Sequence, residues 1–439
     1  MKKVSIFWFR RDLRIEDNHG LFQALSGPFP VLPIFIFDKA ILSRLPSKKD
    51  GRVEFIHKAL DTLKSLIGQQ GGDISIFHDH PLHVFEKLTI GYDVQAIYLN
   101  HDHEKYALQR DEEIKQFASS KNISFHTFKD HVIFEKNEVL SGQGTPYTVF
   151  TPYANKWKDR LKNEPLIVYP SKSLTNYVDE KADFPSLESI GFAPSGLFFP
   201  ENMVSDKLIL DYQASRDFPA INGTSKLSVH LRFGTISIRS LVLQAQGLSE
   251  TWLNELIWRD FYSNILFHFP HISNGLAFRK EYDHIQWRNN EVEFDAWKQG
   301  KTGYPMVDAG MRELNQTGFM HNRVRMVVAS FLVKHLLIDW RWGETYFAEK
   351  LLDFDFSSNN GGWQWAAGSG CDAAPYFRVF NPTEQTKKFD PKYEYIKKWI
   401  PEFNTAKYPK PIVDHASARL RVLAVYKEAL SENKQTKLF

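Results

Sequence analysis

The sequence predicts an α/β amino-terminal domain with a doubly wound parallel sheet, followed by a mostly α-helical carboxy-terminal domain. Three observations carry this expectation. Short apolar, β-branched runs alternate with helix-like stretches over residues 1–130. From about residue 201 onward, apolar residues recur at spacings of three and four. Between these regions, residues 131–200 keep no clean period, and Pro, Gly, Ser and Asn are scattered through them. A chain of 439 residues has room for two or three domains at about 100–200 residues each.

The expected strands are Val4–Phe9, Val31–Phe37, Ile74–Phe77, Ala96–Leu99 and Ile123–Phe128. Val53–Leu66 and Glu104–Phe117 read as intervening helices. Ligands of such sheets sit beyond the carboxyl ends of the strands. The first strand ends in Phe9-Arg10-Arg11-Asp12, which places charge at that rim. Arg10, Arg11 and Arg14 suit either a ligand there or a solvated or salt-bridged loop. No G-x-G-x-x-G follows, so the usual dinucleotide fingerprint is absent. Residues 131–200 are expected to run as a surface connector, packed through Tyr147, Phe150 and Tyr153. The helical domain is expected over 201–425, with Trp252–Phe267, Gly303–Leu314 and Arg323–Leu337 as its clearest helices, and 426–439 as a polar tail.

Composition narrows the function classes. Net charge is +3, which permits a nucleic-acid partner without demanding one; a local basic face would be required. A single cysteine, Cys371, rules out an internal disulfide, and no Cys/His set has zinc spacing, so no metal is expected. A reducing cytoplasm is the simplest location. The start of the chain lacks the long apolar region of a secretory signal, and no apolar run approaches the ~20 residues that span a bilayer. No membrane association is expected.

The chemistry concentrates between Trp340 and Pro382. Trp340, Trp363 and Trp365, the acids Asp353 and Asp355, the amides Asn359 and Asn360, and Gly361 and Gly362 all fall inside that run. Aromatic rings beside amides and small residues suit a large flat ligand that needs stacking and edge hydrogen bonds, such as a flavin or an extruded nucleobase. An aromatic-rich helical core with a Gly turn has the same composition. Upstream, Gly223-Thr224-Ser225-Lys226-Leu227-Ser228 offers hydroxyls, a cation and helix-start amides, the makings of a phosphate site or of an ordinary N-cap. Glu255, Trp258 and Arg259 stand at i, i+3 and i+4, and Asn322, Arg325 and Met326 repeat that spacing, so each trio shares a helix face.

Read together, these motifs resemble the DNA photolyase/cryptochrome family, in the form of its class I cyclobutane pyrimidine dimer photolyases. WFRRDLRIEDN (Trp8 to Asn18), GTSKLS (Gly223 to Ser228), WLNELIWRDFY (Trp252 to Tyr262), TGFMHNRVRM (Thr317 to Met326) and the Trp340–Pro382 run occur in the family's order and span nearly the whole chain. The resemblance implies a light-driven carbon–carbon lyase. Reduced FAD would pass an electron to a flipped-out dimer in duplex DNA, without regard to sequence. The chain would act as a monomer. Residues 1–130 would form the antenna domain, and 201–425 the domain for FAD and the lesion.

The resemblance also assigns residues. Tyr212, Thr224, Ser225, Lys226, Leu227, Ser228, Arg325, Asp353, Asp355 and Asn359 would hold FAD, Asn359 facing flavin N5. Glu255 would hydrogen-bond the dimer and stabilise its radical anion, with Trp258 and Trp365 flanking it and Asn322 and Met326 lining its pocket. Arg259, Arg323 and Arg378 would meet DNA phosphates. Trp287, Trp340 and Trp363 would photoreduce the flavin from the surface. A second, antenna chromophore (folate, deazaflavin or flavin) is implied without its identity. Glu104 matches a folate-contacting Glu, but the Cys-Lys pair of folate-binding members has no counterpart in His271–Gly275. The (6-4) photolyases place a functional His in the corresponding helix; here His321 precedes Asn322, as in dimer-type members, and is not read as that His. A cryptochrome-type blue-light receptor and a (6-4) photolyase are the alternative readings.

Overall fold

A computed structural model describes residues 1–435. The chain divides into two compact units. One comprises Met1–Val139, Asn155–Val204 and Lys226–Asp260; the other comprises Leu140–Ala154, Ser205–Ser225 and the chain from Phe261 onward.

The first unit is built on a five-stranded sheet, β1 (Lys3–Phe9), β2 (Val31–Asp38), β3 (Ser75–Asp79), β4 (Asp93–Asn100) and β5 (Ser124–Phe128), in the order β3-β2-β1-β4-β5. Every pairing is parallel. Such strands are covered on both faces, which is why β1 and β2 appear in the sequence as unbroken apolar runs rather than alternating ones. Val4, Ile6, Trp8, Ile34, Val84, Phe85, Ile97 and Ile114 make the core of this sheet. Helices Gly51–Gly68, Pro81–Gly91 and Lys105–Ser120 are among its crossovers.

The rim beyond β1 is an ion-pair lattice. Arg10 donates to Asp111 and to the Asn100 carbonyl oxygen. Arg11 reaches Asp102 at 3.0 Å and Glu104 at 3.1 Å. Arg14 and Arg239 both donate to the buried Asp130, at 2.7 Å each. That carboxylate lies well below its usual pKa range: the two cations outweigh the burial that would raise it. The structure thus places these arginines in salt bridges, with partners that lie far away in sequence.

Residues 131–200 are not a plain connector. They contain a helix, Phe150–Asn163. Tyr177 also bridges the start of β2 in parallel, with Val31 N–H donating to the Asn176 carbonyl oxygen at 2.8 Å and Val178 N–H to that of Val31 at 2.8 Å.

The second unit is helical. Helices Glu291–Lys298, Pro305–Thr317, Asn322–Ser330, Trp340–Lys350 and Phe356–Ala367 surround a core that includes Trp297, Met311, Val324, Phe331, Trp340, Phe347 and Trp363. The helix expected over Arg323–Leu337 changes character after Ser330, where Phe331–His335 forms one π-helical turn. The tail expected from residue 426 is helical as far as Gln435, part of the helix His415–Gln435. Val422, Tyr426 and Ala429 bury one face of that helix, and the Tyr426 hydroxyl donates to the Ala367 carbonyl oxygen at 3.0 Å. The rest of the expected tail, 436–439, lies outside the described residues. No helix among the described residues is long and apolar enough to cross a membrane.

Candidate functional site

In the first unit, the early turns of the helix Glu250–His268 carry Glu255, Trp258 and Arg259, all half-buried. Arg259 is already engaged: it donates to the carbonyl oxygens of His131 and, at 3.3 Å, Leu231. Asp260, which sequence reasoning missed, fixes this helix from behind. It is 1% exposed and accepts from Ile133 N at 3.0 Å, Phe134 N at 3.3 Å and the Trp157 indole N–H at 3.0 Å. Burial pushes its pKa up to about 6. Asp260→Ala leaves three buried donors without an acceptor, each costing about 1–3 kcal/mol. A loss of at least about 3 kcal/mol is expected in chemical denaturation, and a smaller one for Asp260→Asn, which keeps a carbonyl acceptor. Lys226, Leu227 and Ser228 begin the same stretch of this unit. Lys226 takes a left-handed backbone (φ 54°), and the helix Ser228–Phe233 follows.

In the second unit, Tyr212 is buried on the helix Asp206–Ser215, with the Arg216 guanidinium 5.3 Å from its ring centre. Thr224 and Ser225 are half-buried, just after Gly223, where a Cβ would come within 2.5 Å of Ser215 Oγ. The helix Asn322–Ser330 begins with an exposed Asn322, and its cap is His321. The His321 Nδ1 accepts from Arg323 N–H at 3.2 Å, which puts the proton of the neutral ring on Nε2. The ring is 4% exposed, and burial pushes its pKa down to about 4. Arg323 donates to Asp217 at 2.6 Å, lies over the Phe389 ring at 4.4 Å, and brings Nη1 to 3.7 Å from Met326 Sδ.

Arg325 donates to Asp353 Oδ2 at 2.9 Å and to the Met320 carbonyl oxygen at 2.7 Å. The other oxygen of Asp353 is buried and accepts no hydrogen bond among the described residues. Asp355 caps the helix Phe356–Ala367, accepting from Ser358 N–H at 3.1 Å and from the Ser357 hydroxyl at 2.5 Å. One turn on, the Asn359 Nδ2 donates to the Glu344 carbonyl oxygen at 3.1 Å.

The Glu344 carboxyl is a second residue that sequence reasoning passed over. Burial pushes it up to about 7, although the Asn359 amide, which hydrogen-bonds it, favours the ionised form. Because the folded pKa is raised, this group favours the fold at low pH and withdraws that support as pH rises through about 7. A protonated-carboxyl stretch in the infrared spectrum should fade over that transition and be missing from Glu344→Gln.

Trp340 and Trp363 are each 2% exposed, whereas Trp287 is half-buried and meets Tyr426 edge-on at 6.1 Å. Gly343 lets helix Trp340–Lys350 lie directly on Trp363: a Cβ there would stand 2.1 Å from the indole. Trp365 is half-buried against Phe380 at 6.3 Å, and the exposed Arg378 lies 5.5 Å from the same Phe380 ring. The second unit therefore gathers Trp365 with Arg378, Arg325 with Asp353, and Arg323 with Met326.

Residues 5–171 match the family model described as DNA photolyase, and residues 252–407 that of the FAD binding domain of DNA photolyase. The deoxyribodipyrimidine photo-lyase of Escherichia coli is 37% identical, over 97% of this chain and 99% of its own length. The chain belongs to the DNA photolyase family. A class III photolyase from Agrobacterium tumefaciens superposes on this photolyase with a TM-score of 0.86 and 33% identity, covering 98% of each chain. An archaeal photolyase from Sulfolobus tokodaii, solved with two FAD molecules, gives 0.83 and 36%, over 97% of this chain and 99% of that one. This photolyase is an enzyme whose cofactor is FAD. Its second unit offers groups that fit one. Among the described residues Asp353 has a buried acceptor without a partner, and Asn359 is tethered through its nitrogen. No cluster of three His, Cys, Asp or Glu able to hold a metal ion occurs among the described residues.

Proposed function

We propose that this photolyase repairs cyclobutane pyrimidine dimers in DNA under light. The observation that carries the choice of lesion is His321. Its ring is buried and spent as a helix cap, while Asn322 and Met326 stand on the helix face that a (6-4) photolyase would give to a functional His. When bound, reduced FAD supplies the electron that opens the dimer and takes it back afterwards, so there is no net redox change.

The protein's own groups place and hold. Thr224, Ser225, Lys226, Leu227 and Ser228 would hold the pyrophosphate of the cofactor and Tyr212 would belong to the same site, with the Arg325–Asp353 pair, Asp355 and Asn359 near the flavin. Glu255 hydrogen-bonds the flipped dimer and stabilises its negative charge; Trp258 and Trp365 flank it, and Asn322 and Met326 line it. Flipping costs a few kcal/mol, and less for a lesion that is already poorly stacked. Arg259, Arg323 and Arg378 meet phosphates, which orients the duplex without reading its sequence. Trp287, Trp340 and Trp363 return the cofactor to its reduced state. Residues 1–130 form the antenna domain and 201–425 the domain for FAD and the lesion. Glu104, the expected folate contact, is already bridged to Arg11 at 3.1 Å and Arg232 at 2.8 Å. That supports an antenna other than folate, such as the second FAD of the Sulfolobus tokodaii protein.

The test is repair by the reduced protein, in light and in darkness, of matched duplexes bearing a cyclobutane thymine dimer or a (6-4) product. Light-dependent repair of the dimer alone is expected. Repair of the (6-4) product would overturn the choice of lesion, and repair of neither, with flavin bound and photoreduced, would favour a receptor.

A further inference from the structure

Lys334 is a charged side chain in the interior of the second unit that no step of the repair uses. It lies on the π-helical turn Phe331–His335 and is 2% exposed. Burial alone moves its pKa, down to about 7, with no carboxylate to oppose the shift. An ammonium kept in such a place needs other acceptors. Three lie around it. Nζ donates to the Ala367 carbonyl oxygen at 3.1 Å and to that of Tyr376 at 3.4 Å, and it stands 4.0 Å from the centre of the Tyr426 ring. The Tyr426 hydroxyl donates to the same Ala367 oxygen at 3.0 Å. The Tyr376 ring lies nearly parallel to that of Tyr426, with centres 6.0 Å apart.

These acceptors share a place in the chain. Ala367 ends the helix that carries Trp365, and Tyr376 lies two residues before Arg378. Residues 368–381 join that helix to the next, Pro382–Phe389, with no helix or strand of their own. Near the start of this segment, Arg279 N–H donates to the Ser369 carbonyl oxygen at 2.9 Å and Phe150 N–H to Asp372 at 3.1 Å. Lys334 holds it further along, at Tyr376. We propose that Lys334 is a positioning residue for lesion recognition: its ammonium ties the end of the Trp365 helix, the Tyr376 backbone and the Tyr426 ring together, and so presets Trp365 and Arg378 for a dimer-bearing duplex. The proposal rests on the reading of Trp365 and Arg378 as contacts to the dimer and to a DNA phosphate. A segment that is already ordered gives up less freedom when DNA binds, so its contacts yield more net affinity. Lys334 is buried beneath the segment and acts through it.

The surroundings make the ammonium itself the group that titrates. Tyr376 and Tyr426 face it, and Tyr282 meets Tyr426 edge-on at 6.1 Å. Arg279 acts on Tyr282 and Asp339 on Tyr426, and burial holds both of these hydroxyls above their ordinary range. On the same π-helical turn, the His335 ring is turned to His415 at 2.8 Å, and burial holds both rings below the ordinary histidine value. Neither Tyr282 and Tyr426 nor the two histidines change charge near neutrality. When Lys334 loses its proton there, the amine keeps two N–H donors and no charge to set against the Tyr426 ring, and the tie weakens.

The experiment compares Lys334→Met, an apolar side chain of similar length, with the unmodified protein, each carrying FAD. Affinity for a dimer-bearing duplex is measured from about pH 6 to about pH 8, beside hydrogen exchange over residues 371–381 and single-turnover repair at saturating protein. Lys334→Met should lower the affinity about tenfold at the acid end, the worth of one hydrogen bond to a charged group, and speed exchange in the segment. FAD content, circular dichroism and repair of the bound dimer per photon should stay as they are. The unmodified protein should lose affinity as pH rises, toward that of the variant, whose own profile lacks the step. Unchanged affinity or unchanged exchange in Lys334→Met would overturn the proposal. If that variant does not fold, Glu344→Gln decides in its place, because it removes the other group that titrates near neutrality in this unit. The step should persist in it, and a flat profile would overturn the proposal. Undiminished affinity in Arg378→Ala would instead overturn the reading on which the proposal rests.

Discussion

Arg325→Leu is expected to strip the protein of FAD and to lower its stability by about 3–5 kcal/mol, the usual result of removing one partner from a buried ion pair. The Asp353 side chain is 7% exposed, and Arg325 is the cation that meets it. One Asp353 oxygen takes the guanidinium at 2.9 Å, and the other already accepts nothing among the described residues. Without Arg325 the carboxylate is buried with no counter-charge, and the Met320 carbonyl oxygen loses its donor as well. The double variant Arg325→Leu/Asp353→Leu removes the stranded charge, and it should recover much of the stability while staying poor in FAD. Chemical denaturation gives the first quantity and the ratio of flavin to protein absorbance the second. If the double variant is as unstable as the single one, Arg325 stabilises the fold by some means other than neutralising Asp353.

How far such a site can be foreseen depends on the physics that builds each part. The five strands are legible because a parallel sheet covered on both faces needs apolar residues at every position, and runs such as Val31–Phe37 supply them. The trios Glu255, Trp258, Arg259 and Asn322, Arg325, Met326 are legible because helical spacing fixes which residues share a face. Partnerships over long sequence distance leave no such trace. Nothing near Asp260 announces that it will satisfy Ile133, Phe134 and Trp157, more than a hundred residues earlier. Arg10, Arg11 and Arg14 read equally as a ligand rim or as salt bridges, and only the fold brings Asp111, Asp102 and Asp130 to them. Glu344 looks like one more acid on a polar helix until burial, working against the Asn359 amide, gives it another character. The helix Phe150–Asn163 was obscured by the turn-forming residues around it, whose local preferences say little about a segment held by tertiary contacts.

Glu255→Ala is expected to lower dimer repair per absorbed photon by about ten- to a hundredfold, the worth of a charge-assisted hydrogen bond of about 1.5–3 kcal/mol, while FAD stays bound. The prediction follows from where Glu255 stands. It lies half-buried on the helix face it shares with Trp258, and Asp260, on the same helix, anchors the first unit by a separate set of hydrogen bonds. The bonds of Asp260 do not depend on Glu255, so this anchor persists in the variant, and circular dichroism reports the fold alongside repair. Glu255→Gln keeps the shape and a hydrogen-bond donor but cannot exchange a proton, so the two variants separate two roles. If Glu255 chiefly positions the dimer, Gln should restore both affinity and repair. If it also stabilises the negative charge that develops on the dimer, Gln should restore affinity for the lesion and leave repair per photon depressed. Affinity for a dimer-bearing duplex relative to an undamaged one measures the first role, and single-turnover repair under saturating protein measures the second. Full repair by Glu255→Ala would remove this carboxylate from the site.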